Sequence, residues 1–291
     1  MDADGGALTS DGATANDPAA LTALLDWYVA AGVDAVLGEE PVDRFAEERA
    51  RLATARPSAP AVPKSPPPPP PAQAPPRLPI GDEAIEQARS TAASATSLAE
   101  LEALVRAFDG CALKLTARST VFSDGNPAAR VMFVGEAPGQ EEDQQGKPFV
   151  GRSGKLLDLM LAAIGLDRSK AYIANTIYWR PPGNRNPSDL EVNICRPFIT
   201  RQIELVDPEI IVVVGAQAAK ALLGAPGAAG IMKLRGRWLG YPMAGREVRC
   251  LPMLHPAGLL RNPLNKRLAW RDMLALKKAL DGATGRGIEP H

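Results

Sequence analysis

From residue 130 onward the chain alternates two kinds of hydrophobic pattern. Short runs of consecutive apolar residues, rich in Val and Ile, occur at 131–134, 172–178, 210–214 and 248–254, and they predict strands buried on both faces. Between and after them, apolar positions recur at helical spacing over 155–164, 188–206, 216–223 and 265–280. Strands and helices in alternation build a parallel sheet covered on both sides. The expected architecture is therefore α/β, a three-layer α/β/α sandwich around a central, mostly parallel sheet. Ahead of the first strand, Ser97 and Glu100 read as a capping box before Leu101, Leu104, Val105 and Phe108, which predicts a helix that ends at Gly110.

The pattern changes before residue 81. Twelve of the 23 residues over 57–79 are proline, including all of 66–71, a density that no helix or central strand tolerates. An extended linker is expected there. Upstream, Asn16, Asp17 and Pro18 look like a helix start, followed by Leu21, Leu24, Leu25, Tyr28 and Val29 at helical spacing. The organisation is thus an acidic N-terminal segment (1–56) with a short helix, a Pro-rich linker (57–80), a folded domain (81–281) and a tail (282–291). The Pro-rich extension is expected to be disordered, and its helix is the part with an apolar stripe to offer a protein partner.

Charge sharpens the division. The 291 residues carry 33 basic and 33 acidic side chains, but residues 1–110 hold 8 Lys and Arg against 17 Asp and Glu, whereas 111–281 hold 24 against 15. A basic folded half suits a nucleic-acid binder or an enzyme of anionic metabolites. No apolar run is long enough to span a bilayer, and the first residues lack a basic, apolar leader, so no membrane association and a cytoplasmic location are expected. Cys111, Cys195 and Cys250 make no disulfide framework, and two histidines leave little with which to build a zinc site.

Ligands of parallel sheets sit at the carboxyl ends of the strands, which should gather residues 135–139, 175–179, Gly215 and His255 with Pro256 at one edge. The first loop reads GEAPG (135–139) and continues to GKPFVG (146–151). Its glycines let backbone amides approach a ligand. A triphosphate-binding loop is excluded: Gly154 and Lys155 are followed by Leu156 rather than Ser or Thr, and Phe149 stands where the earlier glycine is needed.

GEAPG, GKPFVG, Asn175 at a strand end, WRPPGNRNP (179–187) and HPAGLLR (255–261) follow one another in order. On these motifs the region 108–280 resembles the family 4 uracil-DNA glycosylases of the uracil-DNA glycosylase superfamily. The resemblance implies an α/β/α fold and hydrolysis of the N-glycosidic bond that joins uracil to deoxyribose in DNA, leaving an abasic site. It further implies a uracil pocket of Gly135, Ala137, Glu142, Phe149 and Asn175, with Glu136 and His255 as catalytic groups. The residue types suit the chemistry. A flipped base needs a stacking face, here Phe149, and a reader of its edge. The Asn175 amide can accept from uracil N3–H and donate to O4, whereas cytosine presents the opposite pattern. An imidazole donor at His255 would stabilise charge developing on uracil O2, and Glu136 would position water or stabilise the cationic sugar. Glu142 matches the position that approaches pyrimidine C5 and would exclude the methyl of thymine. Leu259 or Leu260 would fill the hole left by the flipped base, and Arg261 would hold a phosphate, within a basic stretch (233–271) of nine Lys and Arg against Glu247 alone.

The sequence departs from the family at its iron-sulfur cluster. The four ligand positions read Phe108, Cys111, Trp179 and Cys195, so only Cys111 and Cys195 match and no cofactor or metal is expected. Another relative captures uracil-DNA covalently through a histidine in an insertion after the Asn strand; 179–187 has neither, which favours turnover. The expected partner is uracil-containing DNA, single- or double-stranded, bound by a monomer. The rival functions are a non-catalytic uracil-DNA-binding or damage-sensing module and a small-molecule nucleoside N-glycosidase.

Overall fold

The computed structural model describes residues 18–30, 43, 46, 47, 49 and 81–282; the linker expected at 57–80 and nearly all of the expected tail lie outside them. The chain divides at Ala72 into two units, taken here separately. In the first, helix α1 (Pro18–Ala30) begins at the predicted proline, which suits a first helical position because its missing N–H has no partner there anyway. Leu21, Leu24, Leu25, Trp27 and Tyr28 are exposed on it.

The second unit is built on six strands: β1 (Asp124–Gly125), β2 (Val131–Gly135), β3 (Tyr172–Asn175), β4 (Ile210–Val214), β5 (Leu239–Met243) and β6 (Arg246–Met253), in the order β1-β3-β2-β4-β6-β5. The inner four are parallel and the outer two antiparallel to their neighbours. Alternation along the strands sends Met132 and Val134 to one face and Val131 and Phe133 to the other. The first face is covered by α6 (Asp189–Val206) and α7 (Ala216–Leu223), the second by α5 (Arg152–Ala162) and α10 (Lys266–Gly282). These are the three layers the patterning predicts; the short helices α4 (Gln140–Gln145) and α8 (Ile231–Leu234) lie in the connections. The two antiparallel edges escaped it: β1 has two residues, and β5 carries Gly240 and Pro242 with alternate positions exposed.

A further core lies beyond the sheet, where α2 (Asp82–Ser94) and α3 (Leu98–Ala107) pack against the far side of α6. The helix α2 was not predicted, because its buried stripe is Ala84, Ala88 and Ala92, small side chains with little hydrophobic signal. The capping box is shifted by one residue: Ser97 accepts from the Glu100 amide at 3.2 Å, but the Glu100 carboxylate takes the Thr96 amide at 2.8 Å. The helix closes at Ala107, not Gly110, with Phe108 turning inward as its cap. The strand expected over 172–178 ends at Asn175; Ile177, Tyr178 and Trp179 leave the ladder and fill this second core. No helix among the described residues is long and apolar enough to cross a membrane.

Candidate active site

After β2 the chain crosses to one side for β3 and then returns to the other side for β4, so the connections part above the carboxyl end of β2. A cavity of about 480 Å³ opens there. Glu136 and Ala137 after β2, Asn175 at the end of β3, Gly215 after β4, and His255 and Arg261 after β6 all line it, together with Glu142 and Phe149. Of the predicted pocket residues, Gly135 lies beneath rather than in the wall. A Cβ there would sit 2.5 Å from both Asn175 Oδ1 and the tip of the Phe149 ring, so the bare backbone is what lets these two side chains meet.

Asn175 is opposite Gly135 in the β2–β3 register and is buried. Among the described residues, no hydrogen bond ties its carboxamide to the protein. The backbone around it is fixed: the Thr176 and Ile177 amides donate to the Gly135 and Glu136 carbonyls at 2.9 and 3.0 Å, and the Thr176 hydroxyl also donates to the Glu136 carbonyl at 2.8 Å. An amide edge is thereby held at the cavity wall with its donor and acceptor free for a ligand. Phe149 stacks on the His255 ring, with centroids 5.6 Å apart and planes 25° from parallel.

His255 caps the six-residue helix α9 (Pro256–Arg261), its Nδ1 accepting from the Ala257 amide at 3.1 Å. That bond assigns the proton of a neutral ring to Nε2. Burial, and after it the neighbouring Arg261 charge, push the imidazole pKa down to about 4, so the ring is neutral at neutral pH and offers one N–H donor. Burial raises the Glu136 carboxyl above its ordinary value, and no other cause contributes. The pair comprises a carboxylate made more basic and an imidazole that stays uncharged, a combination suited to general base and electrostatic donor.

Glu142 lines the cavity, but both its carboxylate oxygens are engaged: one accepts from Gly139 at 3.1 Å, the other from Val150 and Gly151 at 3.0 and 2.8 Å. It joins the GEAPG loop to the GKPFVG loop. Of the adjacent leucines, Leu259 is 1% exposed and packs with Leu254 and Ala269, whereas Leu260 is 38% exposed. Leu264, which the sequence did not single out, is 80% exposed on a short turn between α9 and α10, beside Asn265 of the cavity wall and near exposed Arg261, Lys266 and Arg267. Nothing in a sequence separates an apolar loop residue held outward from one that folds in. Gln217, Arg185 and Asn265 also line the cavity. Gln217 was within reach of the strand-end rule, two positions past Gly215. The basic stretch 233–271 is not a single surface: Arg235 pairs with Asp272, Arg246 with Asp207, and Arg249 lies 4.2 Å over the Trp238 ring.

The four positions that carry cluster ligands in the resembled family do converge, in the second core. Phe108 and Trp179 are buried there with Cys111 and Cys195, Phe108 lies edge-on to Phe198 at 5.0 Å, and Trp179 lies edge-on to Tyr178 at 6.0 Å. The Trp179 indole donates to Thr120 at 3.0 Å. The neighbouring Cys195 thiol lowers the pKa of Cys111, while the Cys111 thiol, and burial after it, hold Cys195 well above the ordinary thiol range. Two thiolate donors and two aromatic rings do not fit a four-cysteine cluster.

Residues 122–274 match the model of the Uracil DNA glycosylase superfamily. The chain is 36% identical over 185 residues to the Type-4 uracil-DNA glycosylase of Sulfurisphaera tokodaii, which covers 62% of this chain and 84% of that protein. It is 38% identical to the Saccharolobus solfataricus enzyme of the same description (60% and 83% covered), and 41% identical to that of Thermotoga maritima (56% and 82%).

Proposed function

The chain belongs to the uracil DNA glycosylase superfamily, and from that premise we propose that it is a DNA-repair hydrolase that releases uracil from DNA and leaves an abasic site. The observation that carries this reading is Asn175: a buried carboxamide facing the cavity at a strand end, without a protein partner among the described residues. Its polar atoms open onto the cavity rather than into sealed core, and a uracil edge can satisfy both of them.

In the proposed reaction, deoxyuridine turns out of the base stack into the cavity, where its ring lies against Phe149 and its N3–H and O4 meet Asn175. The C1′–N1 bond breaks and its electron pair goes to the uracil, whose O2 is stabilised by the neutral His255 Nε2–H. Glu136 faces the electron-poor sugar and orients water, whose oxygen bonds to C1′ as a proton passes to the carboxylate and on to solvent. Glu142, in keeping with its three amide bonds, fixes the wall on which Gly139 and Gly151 sit and so limits the space at pyrimidine C5. Arg261 takes a backbone phosphate, while Leu260 and Leu264 are the exposed leucines able to enter the vacated stack. Every proposed group comes from one domain, so a monomer suffices. No step passes through a metal cluster, because Phe108 and Trp179 supply no ligand.

The test is uracil release from a labelled uracil-containing oligonucleotide, single- and double-stranded, with alkali cleavage of the abasic product. Release by wild type and its loss in His255→Ala is the expected result. Tight binding without release would leave a uracil-DNA-binding module, and activity confined to free deoxyuridine would leave a nucleosidase.

A further inference from the structure

Phe149 adopts φ 54°, the left-handed region that residues with a Cβ disfavour. Its backbone is gripped from two sides. Glu142 takes the amides of Val150 and Gly151, while the guanidinium of Arg168 donates to the carbonyl of Pro148 at 3.1 Å and closely to that of Phe149 itself. Arg168 is in turn aimed by Asp124 at 2.6 Å and Asp158 at 2.9 Å. Gly154, at the start of α5, lies so near the Phe149 carbonyl that a Cβ there would overlap it. Arg168 does not line the cavity; it stands behind the turn, on the segment leading into β3.

We propose that Arg168 is a positioning residue for base stacking, acting through the Phe149 backbone. A cation on two successive carbonyls and a carboxylate on the next two amides fix the peptide planes on both sides of the unfavourable φ. The ring is thereby held between Gly135 and His255, where uracil must slide against it. Without the guanidinium, two carbonyls lose charge-assisted partners and the backbone can relax toward negative φ, which swings the ring. The inference rests on the glycosylase reading for its consequence, though not for its geometry.

The experiment is a double-mutant cycle of Arg168→Gln with Phe149→Ala, read by single-turnover uracil release and by hydrogen exchange at the amides of Val150 and Gly151. Misplacement of a substrate-positioning group costs up to about 100-fold, so Arg168→Gln alone should slow release on the order of 10- to 100-fold. On the Phe149→Ala background the same change should cost less than about threefold, whereas the loss of thermal stability should be equal on both backgrounds. Equal rate penalties on both backgrounds would overturn the clamp and leave Arg168 as a salt-bridge hub. Exchange should rise at 150 and 151 and stay unchanged in β2 and β4; unchanged exchange at 150 and 151 would also overturn it. If Arg168→Gln does not fold, Asp158→Asn loosens the same guanidinium, with the same signs and smaller amplitude expected. Wild-type protein that releases no uracil would remove the glycosylase reading, and the exchange data would still decide the clamp.

Discussion

Asn175 and Trp179 lie four residues apart on one segment, yet their surroundings follow opposite rules. Around Asn175 the amide has no protein partner, the Phe149 backbone sits at an unfavourable φ, one carboxyl is made more basic, and an imidazole is kept neutral. Around Trp179 the volume is filled by rings. Its indole has Thr120, and the nearby Tyr178 hydroxyl donates to Gln202 at 2.9 Å, whose own amide donates to Tyr172 at 2.9 Å. Groups without a protein partner, or strained, in an otherwise consistent chain are where function is expected, whereas paired donors and packed rings are what a structural core shows. In the proposed reading, that contrast separates the cavity, as the working site, from the four positions matching the family's cluster ligands, which here lie in a packed core.

The comparison is most exposed at Asn175. Asn175→Asp replaces an amine donor by an oxygen that uracil O4 repels, and uracil release should fall by a factor on the order of 10 to 1,000 with melting nearly unchanged. Activity like wild type in the folded variant would end the assignment. Four residues on, the signs should reverse. Trp179→Ala empties a buried ring site and should cost about 3–5 kcal/mol of stability, measured by denaturant unfolding. Uracil release per folded molecule should stay within about tenfold, and a collapse of activity with unchanged stability would show that the two regions are not separate.

A finer cut separates reading from flipping. Leu264→Ala should slow release from duplex DNA about tenfold, as expected for an apolar side chain that occupies a vacated stack, and leave single-stranded substrate nearly unaffected. Equal effects on both would deny it that role. The smallest expected effect lies in the pH profile. In the proposed mechanism Glu136 acts as a carboxylate, and burial raises its pKa, so kcat/KM should fall as pH drops through a value above that of an ordinary glutamate; the His255 pKa of about 4 keeps the ring neutral across that limb. Glu136→Gln should remove the limb. A limb that survives the substitution belongs to another group.

Much of this was legible in the chain because strand ends in a parallel sheet bring sequence-distant loops together. Glu136, Asn175, Gly215 and His255 could be placed at one edge from periodicity alone, and all four line the cavity. The strand predicted over 172–178 runs three residues past Asn175 because Ile177 and Tyr178 are as apolar as a buried strand, and hydrophobicity does not record which core a side chain enters. Leu259 and Leu260 were indistinguishable until α9 turned one inward. The Arg168 grip on two carbonyls left no trace at all, since main-chain acceptors have no letter in the sequence.

The empty position at Gly135 has a consequence for how this site can vary. Every other amino acid adds at least a Cβ, and that atom would fall 2.5 Å from both the Asn175 oxygen and the Phe149 ring. Either side chain would have to move to admit it. Any side chain there must displace Asn175 or Phe149, the two groups proposed to meet the flipped base. Part of the pocket's shape is thus written in a missing atom, a kind of information that a single substitution overwrites by adding matter rather than by removing a functional group.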